Sequence, residues 1–78
     1  MHIVVITKEH VAMLDDLTDR GLAADLLLAL KDIAKSQGIA GAYRVRLHNG
    51  RAGGQTVDHL HFQILGGDEY SDASVVIK

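Results

Sequence analysis

The segment GGQTVDHLHFQILGG, residues 53–67, joins a glycine-rich turn to a stretch in which polar and apolar residues alternate. Because side chains alternate between the two faces of a β-strand, His59, His61 and Gln63 are predicted to share one face. The other face then carries three apolar side chains, Leu60, Phe62 and Ile64. Such a strand can pack on a core with one face and offer imidazoles to a ligand with the other. The turn before it can bring backbone N–H groups close to phosphate.

The composition predicts one small domain, because 78 residues bury only a thin core. The absence of cysteine excludes disulfides and thiolate metal sites, so oligomerisation is the remaining common source of extra stability. The chain has 8 basic and 10 acidic residues, with neither sign in a long run, and only two tyrosines and one phenylalanine. A nucleic-acid-binding surface needs a basic track or stacking aromatics, so no nucleic acid partner is expected.

The amino-terminal apolar run, Ile3 to Ile6, is too short for a membrane span or a signal peptide, and Lys8 follows soon after it. We therefore expect a cytoplasmic, soluble protein with no membrane partner. The run consists of β-branched residues only, which predicts a first strand that is buried on both faces.

Helical periodicity predicts one long helix in the first half of the chain. Thr18 or Asp19 can cap it, and it runs to about Gln37, where Gly38 suits the left-handed position after a helix. Its apolar arc is broad enough to cover more than one surface. Leu28 lies among the charged residues of the opposite side, so it is either an ordinary exposed leucine or a dimer contact.

Two further strands complete the predicted architecture. Residues 42–47 alternate as a strand, and the Asn-Gly pair at 49–50 marks the long-looped connection of an antiparallel hairpin with the histidine-bearing strand. Residues 73–77 are predicted to form a short last strand, and residues 10–17 one or two helical turns. The whole chain, residues 1–78, is thus predicted to be a single α+β domain with a small, mainly antiparallel sheet packed by one long helix.

The residues alone leave three interpretations of His59 and His61 open. The two side chains can be exposed polar residues of an amphipathic strand. They can be zinc ligands, with His10 or His48 as a further ligand. They can also be catalytic, with one imidazole attacking or moving protons while its neighbours fix its tautomer.

The full pattern of residues 53–67 resembles the signature of the histidine triad (HIT) superfamily of nucleotide hydrolases and transferases. Residues 2–11 are similar to the strand of that family that ends in Pro-Lys-x-His, with Thr7 in place of proline. Residues 22–38 are similar to its long helix, and residues 2–67 align in order without large gaps. The resemblance implies a HIT-like fold, and the flanking Gly-Gly pairs are most similar to the small purine-nucleotide phosphoramidase (HINT-like) branch.

The resemblance implies a catalytic role for four residues. His61 matches the family's nucleophile, which attacks the α-phosphate of a nucleotide and forms a covalent nucleotidyl-histidine. His59 matches the first triad histidine, which helps to orient the nucleophile, and His10 matches an upstream histidine that hydrogen-bonds into the triad. The third triad position is Gln63, as in the nucleotidyltransferase and dinucleoside-polyphosphate phosphorylase branches. Glutamine can donate to phosphate but cannot protonate a leaving group.

Phosphate contacts are implied for the glycine-rich side of the site. Gln55 and Thr56 match a phosphate-contacting glutamine and the hydroxyl residue after it, and the backbone around Gly54 lies near the same phosphate. His48 aligns with an asparagine or glutamine that touches phosphate, and a shift of one residue would bring Asn49 into that role. No cofactor and no metal is expected, because imidazole, amide and hydroxyl groups can themselves stabilise phosphoryl transfer.

Members of the family normally carry a further segment before the strand that begins here at His2, so the resemblance implies a domain that is truncated at its N-terminus. The last predicted strand could cover the sheet edge that this segment would occupy. The leading expectation is a nucleotide phosphoramidase, hydrolase or nucleotidyltransferase that acts on a purine nucleotide or nucleotide conjugate as a homodimer. The alternatives are a catalytically inactive nucleotide- or phosphate-binding module, and a zinc-binding module that uses His59, His61 and a third histidine.

Overall fold

A four-stranded sheet with one long helix on one face makes up the fold in the computed structural model, which describes residues 1–78. The strands are β1 (His2–Thr7), β2 (Tyr43–Leu47), β3 (His61–Gly66) and β4 (Asp72–Ile77), and the helix α1 spans Arg20–Ser36. Two short 3₁₀ turns, Leu14–Asp16 and Arg51–Gly53, lie in the connections. The strand order is β2-β3-β1-β4, so β1 and β3 occupy the centre of the sheet.

Two of the three strand pairings are antiparallel, as the sequence predicts. β3 pairs with β2 on one side and with β1 on the other, and the second pairing sets Ile6 opposite His61 and Val4 opposite Gln63. β4 runs parallel to β1 along all of His2–Thr7, which makes the sheet mixed. The last strand therefore covers the free edge of β1.

The helix α1 begins and ends at the residues that its capping pattern predicts. Asp19 is the N-cap, and its Oδ1 accepts a hydrogen bond from the backbone N–H of Leu22 at 3.1 Å. Gln37 is the C-cap, and Gly38 follows it with a φ of 76°, a left-handed conformation that suits glycine. The helical turns predicted before α1 are reduced to the single 3₁₀ turn at Leu14–Asp16.

The hydrophobic core lies between α1 and one face of the sheet. Four buried residues of α1 recur every fourth position, which places them on one stripe of the helix. The core consists of Ile3, Val5, Val11, Leu22, Leu26, Leu30, Ala34, Leu60, Phe62 and Ile64. Burial of this stripe, rather than helix propensity, is the main source of stability for a helix of this length.

The strand β1 is fully buried on one face only, so the expectation of burial on both faces is wrong. Ile3, Val5 and Thr7 are buried against the core, whereas Val4 and Ile6 are half-buried. The reason is that the single long helix covers one side of the sheet, and no second layer covers the other. We call this other side the open face. Its residues are His2, Val4, Ile6, Arg44, Arg46, His61, Gln63, Leu65, Asp72, Ser74 and Val76.

Several large apolar side chains remain exposed outside this core. Leu27 and Leu28 are adjacent on α1 and are 62% and 52% exposed, and Val45 on the edge strand β2 is 46% exposed. The broad apolar arc of α1 is therefore only partly used within the chain. The helices of the fold lack the length and apolar character that a membrane span requires.

The substitution Leu26→Ala tests the assignment of the core. Leu26 is only 2% exposed, so its truncation leaves a cavity and should lower the free energy of unfolding by about 2–5 kcal/mol. The control is Lys35→Ala at an exposed position of the same helix, for which a change within about 0.5 kcal/mol is expected. Urea unfolding followed by circular dichroism measures both, and equal losses for the two variants would contradict this core.

Candidate active site

The two histidines lie at the entrance of β3 rather than within one regular strand. The strand begins at His61, and His59 lies in a bend two residues earlier. The prediction that His59 would be part of the strand is therefore wrong. The predicted apolar face is confirmed, because Leu60, Phe62 and Ile64 are all buried.

The bend before β3 fixes the tautomer of His61. Its Nδ1 lies 2.8 Å from the backbone carbonyl oxygen of His59. Because a carbonyl oxygen can only accept, Nδ1 carries the proton and donates. In the neutral ring, Nε2 of His61 is then unprotonated and holds a free lone pair. A histidine in this state can act as a nucleophile through Nε2.

The imidazole of His59 anchors the bend to the end of β1. Its Nε2 donates a hydrogen bond to the backbone carbonyl of Thr7 at 2.9 Å. Thr7 is itself buried, and its hydroxyl donates to the carbonyl of Glu9 at 2.8 Å. His59 thus orients His61 through its backbone carbonyl, while its side chain holds the bend in place.

His10 reaches this pair through its ring rather than through a hydrogen bond. The ring centroids of His10 and His59 are 5.4 Å apart, and the ring planes meet at 79°. Edge-to-face contacts of this kind are favourable between aromatic rings. His10 forms no side-chain hydrogen bond with His59 or His61, so the hydrogen bond that the resemblance implies is replaced by ring contact.

A shallow groove runs along the open face beside the two histidines. Its volume is about 450 Å³, and its lining consists of Val4, Ile6, Val57, His59 and His61. Apolar side chains thus lie directly next to the imidazoles. A site of this composition suits a ligand that combines a flat apolar group with an anionic one.

Gln55 is a buried residue that holds the loop before β3 together. Its amide nitrogen donates to the backbone carbonyls of Ala12 and Val57, at 2.7 and 2.8 Å. Its Oε1 accepts from the backbone N–H of Gly50 at 2.8 Å. Both side-chain N–H donors are therefore used within the protein. Direct contact between Gln55 and phosphate, which the resemblance implies, would require one of these bonds to open.

His48 and Asn49, the two alternatives for one phosphate contact, have different surroundings. Asn49 Oδ1 accepts from the backbone N–H of Leu14 at 2.7 Å, and its Nδ2 donates to Asp15 Oδ1 at 2.9 Å. His48 forms no side-chain hydrogen bond, and its ring lies beside the glycine turn, 3.6 Å from the point where a Cβ on Gly54 would lie. Of the two, only His48 has a side chain that is free of partners within the protein.

The glycine turn uses its own backbone donors internally. The N–H groups of residues 53–55 donate to the carbonyls of residues 50–51, and Gly54 has a φ of 92°, which favours glycine. The N–H groups of the next three residues, 56–58, have no acceptor within the protein. The backbone donors that are free to meet a phosphate therefore begin at Thr56, whose hydroxyl is also unpaired, rather than at Gly54.

Gln63 belongs to a chain of polar contacts that crosses the open face. Its Oε1 accepts from Arg46 of β2, with Nε at 3.3 Å and Nη2 at 3.0 Å, and from His2 Nε2 of β1 at 3.2 Å. His2 Nδ1 in turn faces Asp72 Oδ1 of β4 at 3.2 Å. Gln63 is predictable from the sequence pattern, whereas its three neighbours are not, because no local pattern indicates the register that brings β1, β2 and β4 together.

The structure gives no geometric support to the zinc alternative. No group of three or more histidine, aspartate or glutamate side chains has an arrangement that could hold a metal ion. In addition, His59 Nε2 and His61 Nδ1 are each occupied by a backbone carbonyl.

The sequence matches a known protein family over most of its length. Residues 1–70 match the family model of the HIT domain. An uncharacterized HIT-like protein of Synechococcus elongatus is 45% identical over 69 residues, which cover 86% of this chain and 60% of the relative. The adenosine 5'-monophosphoramidase of Schizosaccharomyces pombe is 42% identical over 64 residues, which cover 82% of this chain and 47% of that enzyme. The chain belongs to the HIT domain family.

Solved structures of the family confirm the predicted α+β, HIT-like fold. A HIT family hydrolase from Legionella pneumophila superposes with a TM-score of 0.79 at 33% identity, over 90% of this chain and 65% of that chain. A histidine triad protein from Clostridium difficile gives a TM-score of 0.77 at 34% identity, over 90% and 64% of the two chains. The chain thus spans less than two thirds of the length of each of these four proteins.

The substitution Gln55→Met tests the structural role of this side chain. It leaves the Ala12 carbonyl and the Gly50 N–H without partners and removes one of the two donors to the Val57 carbonyl, so we expect the free energy of unfolding to fall by about 1–3 kcal/mol. Thr56→Val is the control for stability, because Thr56 is exposed and its side chain forms no hydrogen bond, and it should change stability by less than about 0.5 kcal/mol. A Gln55→Met variant as stable as the control in urea unfolding would contradict this role.

Proposed function

We propose that the chain is a nucleotide hydrolase or nucleotidyltransferase of the HIT type, in which His61 attacks the α-phosphate of a purine nucleotide or nucleotide conjugate. The observation that carries the proposal is the hydrogen bond from His61 Nδ1 to the His59 carbonyl, which leaves Nε2 of the neutral ring unprotonated. The Nε2 lone pair forms a bond to phosphorus, and the bond to the leaving group breaks with its electron pair on the leaving group. Water or another acceptor then attacks phosphorus, and the pair returns to Nε2.

The surroundings of His61 suit the charges that develop in this reaction. The ring becomes positively charged when Nε2 is bonded to phosphorus, and the His59 carbonyl accepts a stronger hydrogen bond from the charged ring. Negative charge builds up on the phosphate oxygens, for which the free N–H groups of residues 56–58 and the Thr56 hydroxyl are the nearest unpaired donors along the chain. In this proposal His48 is a further phosphate contact, and Val4 and Ile6 form an apolar floor for the nucleoside.

The relatives support this class of reaction. One of them is an adenosine 5'-monophosphoramidase, and another is a HIT family hydrolase. Either phosphoramidase activity or transfer to a second acceptor is compatible with a nucleotidyl-histidine intermediate.

The second candidate is a nucleotide- or phosphate-binding module without turnover. It is favoured by Gln63, which stands where a third histidine could protonate a leaving group. Binding in this candidate uses the same groove and the same free N–H groups, but no bond to His61 forms.

Covalent labelling of His61 tests the proposed reaction. The protein is mixed with adenosine 5'-phosphoramidate or a diadenosine polyphosphate, quenched rapidly and analysed by intact mass. We expect an adenylyl adduct that His61→Ala abolishes, whereas Lys35→Ala, on the distant surface of α1, retains it. Nucleotide binding by calorimetry without any adduct would contradict catalysis and support the binding module.

A homodimer is part of the proposal, and the exposed leucines of α1 are the surface that a second copy would cover. Leu27 and Leu28 form an adjacent apolar pair in this otherwise polar part of the helix. A charge at Leu28 should therefore disrupt the interface.

The dimer is tested by the mass of the protein in solution. Analytical ultracentrifugation should give twice the chain mass for the wild type and the single-chain mass for Leu28→Glu. The control is Ala40→Glu, which adds the same charge at an exposed position in the loop after α1 and should remain dimeric. A monomeric wild type would contradict the proposal, as would a dimeric Leu28→Glu.

A further inference from the structure

The side-chain amide of Gln63 is held in one orientation by the residues around it. Three N–H groups converge on its Oε1, two from Arg46 and one from His2. Arginine carries donors only, so the atom of Gln63 that faces Arg46 must be the oxygen. The NH₂ group of Gln63 is therefore directed away from Arg46.

The amide nitrogen of Gln63 is left free for a ligand. It forms no hydrogen bond within the protein, and no buried side-chain nitrogen or oxygen atom lacks a partner, so Nε2 keeps some contact with solvent although Gln63 as a whole is only 9% exposed. Gln63 follows His61 by two residues on the same face, which separates their Cα atoms by about 7 Å. A ligand with its reacting phosphorus at His61 can thus place its next group within reach of Gln63 Nε2.

We propose that Arg46 and His2 are positioning residues that hold Gln63 as a hydrogen-bond donor to the leaving group. The site consequently favours nucleotide substrates whose leaving group departs as an anion, such as a phosphate or pyrophosphate group, over substrates that release an amine. This inference rests on the proposed transfer to His61. It goes beyond that proposal because it identifies the residue that contacts the leaving group and the two residues that position it.

The chemistry of the leaving group explains this preference. When His61 Nε2 bonds to phosphorus, the electron pair of the broken bond remains on the leaving atom. An amide N–H can stabilise that negative charge but has no proton to transfer, and a phosphate oxygen needs none. An amine needs a proton to depart in a stable form, and Gln63 cannot provide it.

Two neighbours strengthen Gln63 as a donor. The guanidinium of Arg46 is always charged, and its hydrogen bonds to Oε1 polarise the amide so that the N–H groups donate more strongly. The two ring nitrogens of His2 face Gln63 Oε1 and Asp72 Oδ1, both of which are acceptors. The N–H at Nε2 of His2 that donates to Gln63 Oε1 holds the amide from the β1 side, on the other side from Arg46.

The test compares leaving groups on one adenosine 5'-phosphate framework. A series of aryl esters with phenols of increasing acidity, a diadenosine polyphosphate and the phosphoramidate are assayed for kcat/KM. For the wild type, kcat/KM should rise steeply with the acidity of the phenol, because no group on the enzyme protonates it. Gln63→His supplies a proton donor, so it should flatten this dependence and raise the rate with the phosphoramidate.

The variant Arg46→Met tests the positioning role against a matched control. It frees the Gln63 amide to rotate, and we expect kcat/KM for the polyphosphate to fall roughly tenfold, mainly through kcat. Arg44→Met removes the same charge two residues earlier on the same strand and face, where no contact with Gln63 exists, and should stay close to the wild type. Both arginines are exposed, so the two variants should retain the circular dichroism spectrum of the fold.

The possible outcomes separate a failure of this inference from a failure of the proposed function. Equal losses for Arg46→Met and Arg44→Met would reflect charge alone and would overturn the inference. A dependence on phenol acidity in Gln63→His as steep as that of the wild type would also overturn it. If the wild type forms an adduct but these variants behave in either way, the proposed function stands and only this inference fails. Absence of any adduct or turnover with every substrate overturns both.

Discussion

Antiparallel pairing between β1 and β3 is the constraint on which the candidate site depends. It sets Ile6 opposite His61 and so brings the end of β1 beside the bend that precedes β3. The carbonyl of Thr7 then holds the ring of His59, and the carbonyl of His59 holds the ring of His61. The register of the sheet thus determines the tautomer of His61, because it places the Thr7 carbonyl that holds the ring of His59, and the His59 carbonyl in turn accepts from Nδ1 of His61. Thr7 occupies the position where proline is usual in the family, and its backbone carbonyl serves this purpose irrespective of its side chain.

The two faces of β3 have different roles, because one packs in the hydrophobic core and the other carries side chains of the candidate site. Phe62 points into the core beneath α1, whereas His61 and Gln63 lie on the open face, where Gln63 is also buried, with Arg46 and His2 hydrogen-bonded to it. The core consists of only ten buried apolar residues, so the rigidity of the site derives from a small number of contacts. We therefore expect substitutions that loosen α1 to disturb the orientation of His61, even though α1 contributes no residue to the groove.

Local patterns predict the elements of this fold well, but they do not predict the polar contacts of the site. The caps of α1 and the burial of Phe62 follow from residue type and periodicity alone. The amide of Gln55 can meet a phosphate or a backbone carbonyl equally well, and the choice depends on where Ala12 lies in space. The contact between His2 and Asp72 likewise depends on the parallel docking of β4, and alternation of residues carries no information on strand direction.

The position of the proton on the His61 ring decides whether Nε2 is available for the proposed attack on phosphorus. Nitrogen-15 NMR of the ligand-free protein, at a pH where this ring is neutral, distinguishes a protonated ring nitrogen from an unprotonated one. A proton on Nδ1 and a free Nε2 are the expected result, since the His59 carbonyl accepts from Nδ1. A proton on Nε2, or rapid exchange between the two tautomers, would contradict the account, because the ring would then lack the free Nε2 lone pair that the proposed attack on phosphorus requires.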